Sequence, residues 1–562
     1  MPTYDGRLEL TWTNKPLRLL AHEDGSYEWV SPSDYRVAEV RLLHDAGAIG
    51  DVHAQPDRAR DNLLIRGDAL NALTSLIELP EFAREYLGKV KLAYLDPPFN
   101  TQQSFLHYDD ALEHSVWLTM MRDRLVSIKT LLSPDGSVWV HCDDSERDYL
   151  KVMMDEVFGR ANFIAAVLWQ KVYMPKNSAR HFSTDHDYIL VYALDADVWR
   201  PNAMERTAAM DARYTNPDND PRGPWKPGDL SARNYYSVGR YPITTPSGRV
   251  VAGPPAGCYW RVSKEKLAAM DADHRIWWGP AGNGVPAVKR FLSEVRGRVP
   301  QTLWFYEEVG HTQDAKREVL AFCPPGGEPF ATPKPERLLH RVMDIGSSPG
   351  DIVLDCFLGS GTTAAVAHKM NRRWIGVEVS RETVEGIVRP RLTRVVEGSD
   401  EAGVTELATW LGGGGVRILD VAPSMFEAVD GQVYLSEWAT NGTLAEVTAA
   451  QLHYDYEYEY APPFCGRRGR SRLAVIDGLV NEAVVRLVAN ALAEEERLVI
   501  CGTAIDPAAR EVLRGLRPGS SVRKIPHSIL QEYRQAVRWV QPALLDSRAN
   551  GTATLDAEVV QA

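Results

Sequence analysis

Short apolar segments of strand length alternate with longer segments of helical spacing along this 562-residue chain, and this alternation limits the folds open to it. Residues 91–95, 136–144 and 351–355 have the composition of buried strands, while residues 114–132 and 146–158 have the spacing of helices. Parallel strands need crossover helices, which cover both faces of the sheet. The pattern therefore predicts an α/β fold with a doubly wound, mostly parallel sheet.

Length, charge and cysteine spacing narrow the class of protein. A chain of this length should form about three or four domains. The net charge of −12 argues against a uniformly basic coat for nucleic acid, although residues 195–334 carry 19 Lys and Arg against 16 Asp and Glu. The six cysteines are scattered, which favours neither a disulfide framework nor a metal site. Because the sequence shows no signal segment and no apolar run of membrane length, we predict a cytoplasmic protein.

The strand at residues 91–95 is followed by Asp96, Pro97, Pro98 and Phe99. Two consecutive prolines fix φ and remove two backbone donors, so the turn holds an acid, a carbonyl and an aromatic ring close together. A carboxylate and a carbonyl can accept both N–H bonds of an exocyclic amine, and the ring can stack on a nucleobase that has left its own stack. The residues therefore indicate an enzyme that alkylates an amino group on a base. The alternative is a strand-ending turn without chemistry.

A second segment, residues 351–364, places a glycine turn between a strand and a helix. Glycines let the backbone approach a ligand closely. The turn consists of Gly359, Ser360, Gly361 and Thr362. The next strand ends in Glu378, an acid that can bind both hydroxyls of a ribose. The spacing also fits a dinucleotide fingerprint, but Asp355 and Phe357 before the glycines favour S-adenosyl-L-methionine over a pyrophosphate.

An Asp-Pro-Pro-Phe block upstream of an Asp-x-Phe-x-Gly-Ser-Gly-Thr block resembles the β-class of amino-DNA methyltransferases, in which the base-binding motif precedes the cofactor motif. More closely, residues 20–410 are similar to the modification (Mod) subunits of type III restriction–modification systems. The resemblance implies the fold of S-adenosyl-L-methionine-dependent methyltransferases in permuted motif order. It also implies methyl transfer to the N6 amine of an adenine flipped out of duplex DNA, since cytosine-N4 enzymes usually carry Ser where this chain has Asp96.

The resemblance assigns residues to the site. It implies catalytic roles for Asp96, Pro97, Pro98 and Phe99. It implies that S-adenosyl-L-methionine is bound by Asp68, Lys334, Asp355, Phe357, Gly359, Ser360, Gly361, Thr362 and Glu378. For Asp68 an alternative remains, because an acid at that position can also cap the helix that follows it.

Residues 196–330 differ in composition from the rest of the chain. Prolines and glycines punctuate them, and six of the fifteen tryptophans lie there beside Arg and Lys, a combination that can contact phosphates and stack on bases. Their place between the two motifs predicts a target-recognition domain, and the alternative is a small β-rich domain with an aromatic core and solvated charges. The candidate DNA contacts are Asn100, His181, Arg222, Arg233, Lys289 and Arg290.

The predicted organisation has five parts. They are an N-terminal arm (1–60), a catalytic half (61–195), the target-recognition insert (196–330), a cofactor-binding half (331–400) and a C-terminal α/β module for dimerisation or partner docking (401–562). The expected partners are double-stranded DNA, a second copy of the chain and a helicase–nuclease restriction subunit. Three alternatives remain: a DNA-recognition subunit with methylation secondary, a cytosine-N4 methyltransferase, and a nicotinamide-dependent dehydrogenase built on the glycine turn.

Overall fold

The computed structural model describes residues 9–525, except 22–26, 33, 35–36, 38, 55–56, 101–112, 176, 296, 323–329, 430–431, 436–438, 440–441 and 458–462. The chain divides into two compact units, residues 1–200 with 302–562, and residues 201–301. The smaller unit lies within the insert predicted at 196–330, whereas residues 302–330 belong to the larger unit.

In the first 200 residues strands and helices alternate after a short antiparallel pair. The strands are β1 (Arg18–Ala21), β2 (Tyr27–Val30), β3 (Leu43–Gly50), β4 (Asn62–Arg66), β5 (Val90–Leu95), β6 (Leu132–Cys142), β7 (Phe163–Gln170) and β8 (His186–Ala193). The helices are α1 (Ala69–Glu78), α2 (Pro80–Tyr86), α3 (His114–Leu131) and α4 (Arg147–Phe158). Local chemistry sets their ends: the Asp68 carboxylate caps α1, and Gly159 ends α4 with a φ of 92°.

The smaller unit, residues 201–301, is built from short strands around an aromatic core. Its strands are β9 (Trp225–Asp229), β10 (Ser231–Ala232), β11 (Ile243–Thr244), β12 (Val250–Val251), β13 (Tyr259–Trp260), β14 (Ile276–Trp277) and β15 (Ala287–Phe291). Its helices are α5 (Ala208–Asp211) and α6 (Lys264–Ala272). Strands β14, β15 and β9 form one antiparallel sheet, and Trp260 and Trp278 are buried in the core.

The chain returns to the larger unit at residue 302. The strands are β16 (Leu303–Trp304), β17 (Ile352–Asp355), β18 (Arg373–Glu378) and β19 (Gly415–Val421). The helices are α7 (Tyr306–Val309), α8 (Thr312–Leu320), α9 (Glu336–Gly346), α10 (Thr362–Lys369), α11 (Arg381–Thr383) and α12 (Arg389–Glu397), with a π-helical turn at Val384–Val388. No described helix is long and apolar enough to cross a lipid bilayer.

One ten-stranded sheet organises the larger unit, in the order β16-β7-β8-β6-β5-β17-β18-β4-β19-β3. The pairs from β6 to β19 are all parallel, and β8 and β3 run antiparallel to their neighbours. The sheet therefore confirms the predicted mostly parallel architecture. Strands β5 and β17 lie side by side although they are far apart in the sequence, so both end at the same edge.

Helices cover both faces of this sheet. Leu63 and Ile65 of β4 pack into one fully buried cluster with residues of α1 to α4. Leu92 of β5 and Trp139 of β6 point to the opposite face, where they contact Gly346 at the end of α9. Each such buried Leu or Ile contributes about 1.5–3 kcal/mol of transfer free energy. The arrangement confirms the doubly wound fold.

A second sheet follows in the C-terminal part. Its elements are β20 (Phe426–Val429), β21 (Gln432–Leu435), α13 (Thr443–Gln451), β22 (Asp455–Tyr456), β23 (Gly466–Arg468), β24 (Ser471–Val480), α14 (Glu482–Asn490), β25 (Arg497–Ile505), α15 (Ala509–Leu516) and β26 (Ser521–Lys524). Strands β22 to β26 form a five-stranded sheet in chain order, with β24, β25 and β26 parallel. This α/β module matches the prediction in kind, although residues 526–562 lie outside the described part.

The structure moves two of the predicted boundaries. Residues 43–50, predicted as part of an arm, form the edge strand β3 of the central sheet. Residues 415–421, predicted as part of the C-terminal module, form β19 between β3 and β4. In both cases the pairing is long-range, and local composition gives no sign of it.

Candidate active site

A cavity of about 860 Å³ opens at the edge where β5 and β17 end. It brings together every residue predicted for catalysis and cofactor binding except Gly361. The lining includes Asp68, Asp96, Pro97, Pro98, Phe99, Lys334, Asp355, Phe357, Gly359, Ser360, Thr362 and Glu378. Two adjacent parallel strands thus place the Asp-Pro-Pro-Phe turn and the glycine turn on one cavity.

One oxygen of the Asp96 carboxylate is paired with a cation, and the other has no partner among the described residues. Its Oδ2 lies 2.5 Å from Nζ of Lys334, which precedes α9. Its Oδ1 is buried, and no described residue gives it a hydrogen bond. An unsatisfied buried carboxylate oxygen costs free energy, so this atom marks a place where a ligand donor belongs.

Of the two proline carbonyls beside Asp96, one accepts a hydrogen bond and the other has no described donor. Trp117 Nε1 donates a hydrogen bond of 2.7 Å to the Pro98 carbonyl, which fixes the turn against α3. Within the described residues no donor reaches the Pro97 carbonyl. Asp96 Oδ1 and the Pro97 carbonyl, the pair that the sequence predicted for an exocyclic amine, are therefore both without a donor from the described residues.

The ring of Phe99 is backed by a buried histidine that the sequence did not single out. His141 stacks on Phe99 with ring centroids 5.6 Å apart and 28° between the planes. The Tyr94 hydroxyl lies 2.9 Å from His141 Nδ1, and Asp187 Oδ2 lies 3.4 Å from Nε2. Burial, together with the charge of Lys334, lowers the pKa of His141, so the ring is neutral at pH 7. Stacking on this buried ring fixes the orientation of Phe99.

The carboxylate of Glu378 is hydrogen-bonded to the backbone of the glycine turn. Gly359 N–H donates to Glu378 Oε2 (2.8 Å), and Ser380 N–H donates to Oε1 (2.9 Å). Gly359 and Gly361 have φ of 52° and 77°, values that favour glycine, and a Cβ at Gly359 would lie 3.0 Å from Phe330. Gly361, which does not line the cavity, is the N-cap of α10. Each Glu378 oxygen keeps a lone pair for a ligand hydroxyl.

Beneath the turn lies a buried ion-pair network. Arg391 Nη1 donates to the Ser360 carbonyl (3.2 Å) and to Thr362 Oγ1 (2.9 Å), and Nη2 donates to Glu336 Oε1 (2.7 Å). Lys369 Nζ lies 2.8 Å from Glu336 Oε2, and all three charged side chains are fully buried. No pattern in the sequence indicates this network, because charged residues on helices usually face solvent.

Asp68 caps α1 and also lines the cavity. Its Oδ1 accepts N–H bonds from Leu70 and Asn71 and so caps α1, while the residue also lines the cavity. Its Oδ2 lies 2.6 Å from Nη2 of Arg124. The Arg124 guanidinium lies 5.8 Å from the Phe357 ring centroid, and its buried Nε has no described partner. Arg124 is a further candidate ligand contact, and no motif in the sequence indicated it.

Asp355, the last residue of β17, has the most perturbed carboxyl group in the cavity. Phe357 N–H donates to its Oδ1 (2.9 Å). Burial raises the pKa of Asp355 to about 7, and the charges of Asp96 and Glu378 raise it as well. The folded chain therefore holds a proton between about pH 4 and pH 7 that the unfolded chain has released. The contribution of Asp355 to the free energy of unfolding therefore falls as the pH rises from about 4 to about 7.

Replacing Asp355 with Asn should stabilise the ligand-free protein. Asn keeps an acceptor for Phe357 N–H but buries no charge, so we expect a gain of about 1–3 kcal/mol at pH 8 and a smaller gain at pH 5. Thermal melting at the two pH values measures the difference. Glu382→Gln, at an exposed carboxylate, is the control and should change neither melting temperature. A gain that is the same at both pH values would contradict the assigned pKa.

The six predicted DNA contacts have different environments. His181, Arg233 and Arg290 are exposed, and Asn100 Nδ2 donates to Glu146 (2.8 Å). Arg222 is paired with Asp220 and Asp273 inside the smaller unit. Lys289 is only 4% exposed and is paired with Asp218 and Asp220. Its ammonium group stabilises the fold of that unit, so we leave Lys289 out of the proposed DNA contacts.

Comparison with known proteins identifies relatives of the chain. The model of the DNA methylase family (N6_N4_Mtase) matches residues 90–389. The HindVI Mod subunit of Haemophilus influenzae, a type III restriction–modification protein, is 28% identical over 432 residues, which are 67% of this chain and 56% of that protein. The StyLTI Mod subunit of Salmonella typhimurium is 28% identical over 384 residues, or 59% of this chain and 57% of that protein.

The chain thus spans somewhat more than half the length of these relatives. Among solved structures, TTHA0409 of Thermus thermophilus, crystallised with S-adenosyl-L-methionine, is 16% identical and has a TM-score of 0.31. That similarity covers 64% of this chain and all of that one. The likeness to Mod subunits that the two motifs predicted is confirmed by the sequence matches.

Proposed function

Because this chain belongs to the DNA methylase family, we propose that it transfers a methyl group from S-adenosyl-L-methionine to the N6 amine of an adenine turned out of duplex DNA. One observation carries the proposal: Asp96, whose buried Oδ1 has no hydrogen-bond partner among the described residues, lines the cavity that also contains the glycine turn. A cavity of about 860 Å³ has the size typical of sites for cofactor-sized ligands. The dehydrogenase alternative leaves the Asp-Pro-Pro-Phe turn without a purpose.

The residues of the glycine turn fit the proposed cofactor. Glu378 offers two carboxylate oxygens to ribose hydroxyls, and Phe357 offers an apolar ring. Asp355 can present a neutral carboxyl near pH 7 and therefore can donate as well as accept a hydrogen bond. Arg124 and Asp68 supply a further charged pair on the same wall. S-adenosyl-L-methionine supplies an activated methyl group on a sulfonium.

The Asp-Pro-Pro-Phe turn then activates the amine. Its nitrogen lone pair is delocalised into the aromatic ring, which makes it a poor nucleophile. Accepting its two N–H bonds on Asp96 Oδ1 and the Pro97 carbonyl favours a pyramidal nitrogen with its lone pair directed out of the ring plane. Lys334 holds the other carboxylate oxygen and so fixes the direction of Oδ1. The amine proton is lost to solvent after transfer.

Phe99 provides the surface on which the extruded base stacks. Base–aromatic stacking contributes about 1–3 kcal/mol, which offsets part of the cost of extrusion. His141 fixes the ring from behind, and Lys334 Nζ lies 5.0 Å from the ring centroid. The acid at position 96 favours adenine over cytosine, since Ser is usual at this place in the cytosine-N4 enzymes that the motif resembles.

The similarity to Mod subunits supports a biological setting for this activity. We infer that the chain is the modification and recognition subunit of a restriction–modification system, acting as a homodimer with a helicase–nuclease partner. The smaller unit, residues 201–301, lies between the two motifs in sequence and carries exposed Arg233 and Arg290, so we assign target recognition to it. Copurification of a nuclease subunit with the tagged chain would test this setting.

The activity itself is tested by incubating the purified chain with unmethylated genomic DNA and S-adenosyl-L-methionine, followed by nucleoside mass spectrometry. We expect N6-methyladenine, and single-molecule sequencing of the product will then give the target site. N4-methylcytosine would overturn the assignment of the base, and no methylated base would overturn the function. As a separate check, S-adenosyl-L-methionine but not NAD should raise the melting temperature.

A further inference from the structure

The loop between β7 and β8, residues 171–185, rises from the same edge of the sheet as the Asp-Pro-Pro-Phe turn. Strand β8 is two positions from β5 in the sheet, which corresponds to about 10 Å. Lys171 and Val172, at the start of the loop, line the cavity. Their N–H groups lie 2.9 and 3.3 Å from the Asp185 carbonyl, so the loop is closed at its base. The base of the loop therefore lies beside the proposed base site.

Near the end of this loop lies Phe182, which is 92% exposed. In the described part of the chain no other aromatic residue is so exposed. Its neighbours Arg180 and His181 are also exposed, and these three side chains make no hydrogen bond, ion pair or ring contact within the described residues. Tyr173 in the same loop, by contrast, packs against Tyr306 and His311. Phe182 thus differs from Tyr173 in having no ring contact with another described residue.

We propose that Phe182 inserts into the duplex and fills the gap that the extruded adenine leaves, while Arg180 contacts a phosphate beside it. This inference rests on the proposed function. Turning a base out of the helix removes its stacking with both neighbours, and an apolar side chain placed between base steps replaces part of that stacking. A cation next to the ring can bind the DNA backbone. The position of the loop beside the cavity lets one duplex engage both features.

The role differs from that of Phe99. Phe99 is backed by His141 within the cavity and is placed to receive the base. Phe182 has no protein partner in the described chain and is placed to replace the base. Loss of Phe182 should therefore slow methylation where extruding the adenine requires much free energy. It should have little effect where extrusion requires little.

The test measures kcat/KM of the full chain on two duplexes that carry its methylation site. One is fully paired. The other has an abasic residue opposite the target adenine, so that this base has no pairing partner and leaves the helix more easily. Phe182→Ala should lower kcat/KM about 5- to 100-fold on the paired duplex, in line with the loss of one stacking contact, and less than about threefold on the abasic one. Phe182→Trp should retain the activity of the wild type, and KM for S-adenosyl-L-methionine should not change.

Met174→Ala is the matched control, because Met174 is 60% exposed in the same loop. It should leave both rates unchanged. Fluorescence of 2-aminopurine at the target position gives a direct readout of extrusion, which Phe182→Ala should reduce. An equal loss on both duplexes, or no loss on either, would overturn the insertion role. A wild-type chain that methylates neither duplex would overturn the proposed function, and this inference with it.

Discussion

Asp96→Asn is expected to lower the rate of methyl transfer about 10²- to 10⁴-fold, the largest effect of any single change in the cavity. Asn can still contact Lys334 through its carbonyl, so the turn should keep its shape. Its NH₂ group would then replace Oδ1, the acceptor that has no partner among the described residues. A donor in place of an acceptor repels the amine protons and removes the lone-pair alignment.

The effect should be confined to catalysis. Single-turnover methylation measures the rate, fluorescence anisotropy measures DNA affinity, and thermal shift with S-adenosyl-L-methionine measures cofactor binding. We expect the two binding signals to remain within about threefold of the wild type. Asp135→Asn is the control, since Asp135 lies near the opposite end of β5 in an exposed pair with Lys91. Loss of DNA binding together with activity would show that Asp96 is structural instead.

The Asp96 site also shows what a sequence can predict about this fold. The turn and the glycine segment could be found because their chemistry is local: two prolines after a buried strand, and glycines between a strand and a helix. That they meet depends on the parallel pairing of β5 with β17, which no local pattern encodes. Resemblance to a family implied that the two motifs form one site, and the structure explains this by placing both strand ends on one edge.

The sequence did not show which of its charged side chains are buried. Lys289 and Arg222 looked like surface cations in a Pro- and Gly-rich segment, yet Asp220 engages both inside the smaller unit. His141 is the penultimate residue of β6, and the sequence there gives no sign of whether a histidine binds a ligand or packs. Whether a charged side chain faces solvent or another charge depends on tertiary contacts, so only the structure separates these roles.

Arg391 is the second residue for which we expect a large effect, and here the effect is on stability. Two buried cations, Arg391 and Lys369, balance two buried anions, Glu336 and Asp400. Glu318 lies beside them, and its carboxylate accepts the N–H of Glu336 at 2.9 Å. Burial and the charge of Glu336 raise the pKa of Glu318 to about 7. The negative charges of this network are therefore compensated only while both Arg391 and Lys369 are present.

Arg391→Ala should reduce the free energy of unfolding by about 3–5 kcal/mol, because it leaves a buried carboxylate under-compensated. It also removes the donors to the Ser360 carbonyl and the Thr362 hydroxyl, so the affinity for S-adenosyl-L-methionine should fall. Urea denaturation and calorimetric titration measure the two effects. Arg389→Ala, two residues earlier in α12, removes a 48%-exposed guanidinium paired with Glu385 and should cost less than about 1 kcal/mol. Similar unfolding costs for the two variants would contradict the stabilising role of the buried pair, and an unchanged affinity would show that the glycine turn does not depend on it.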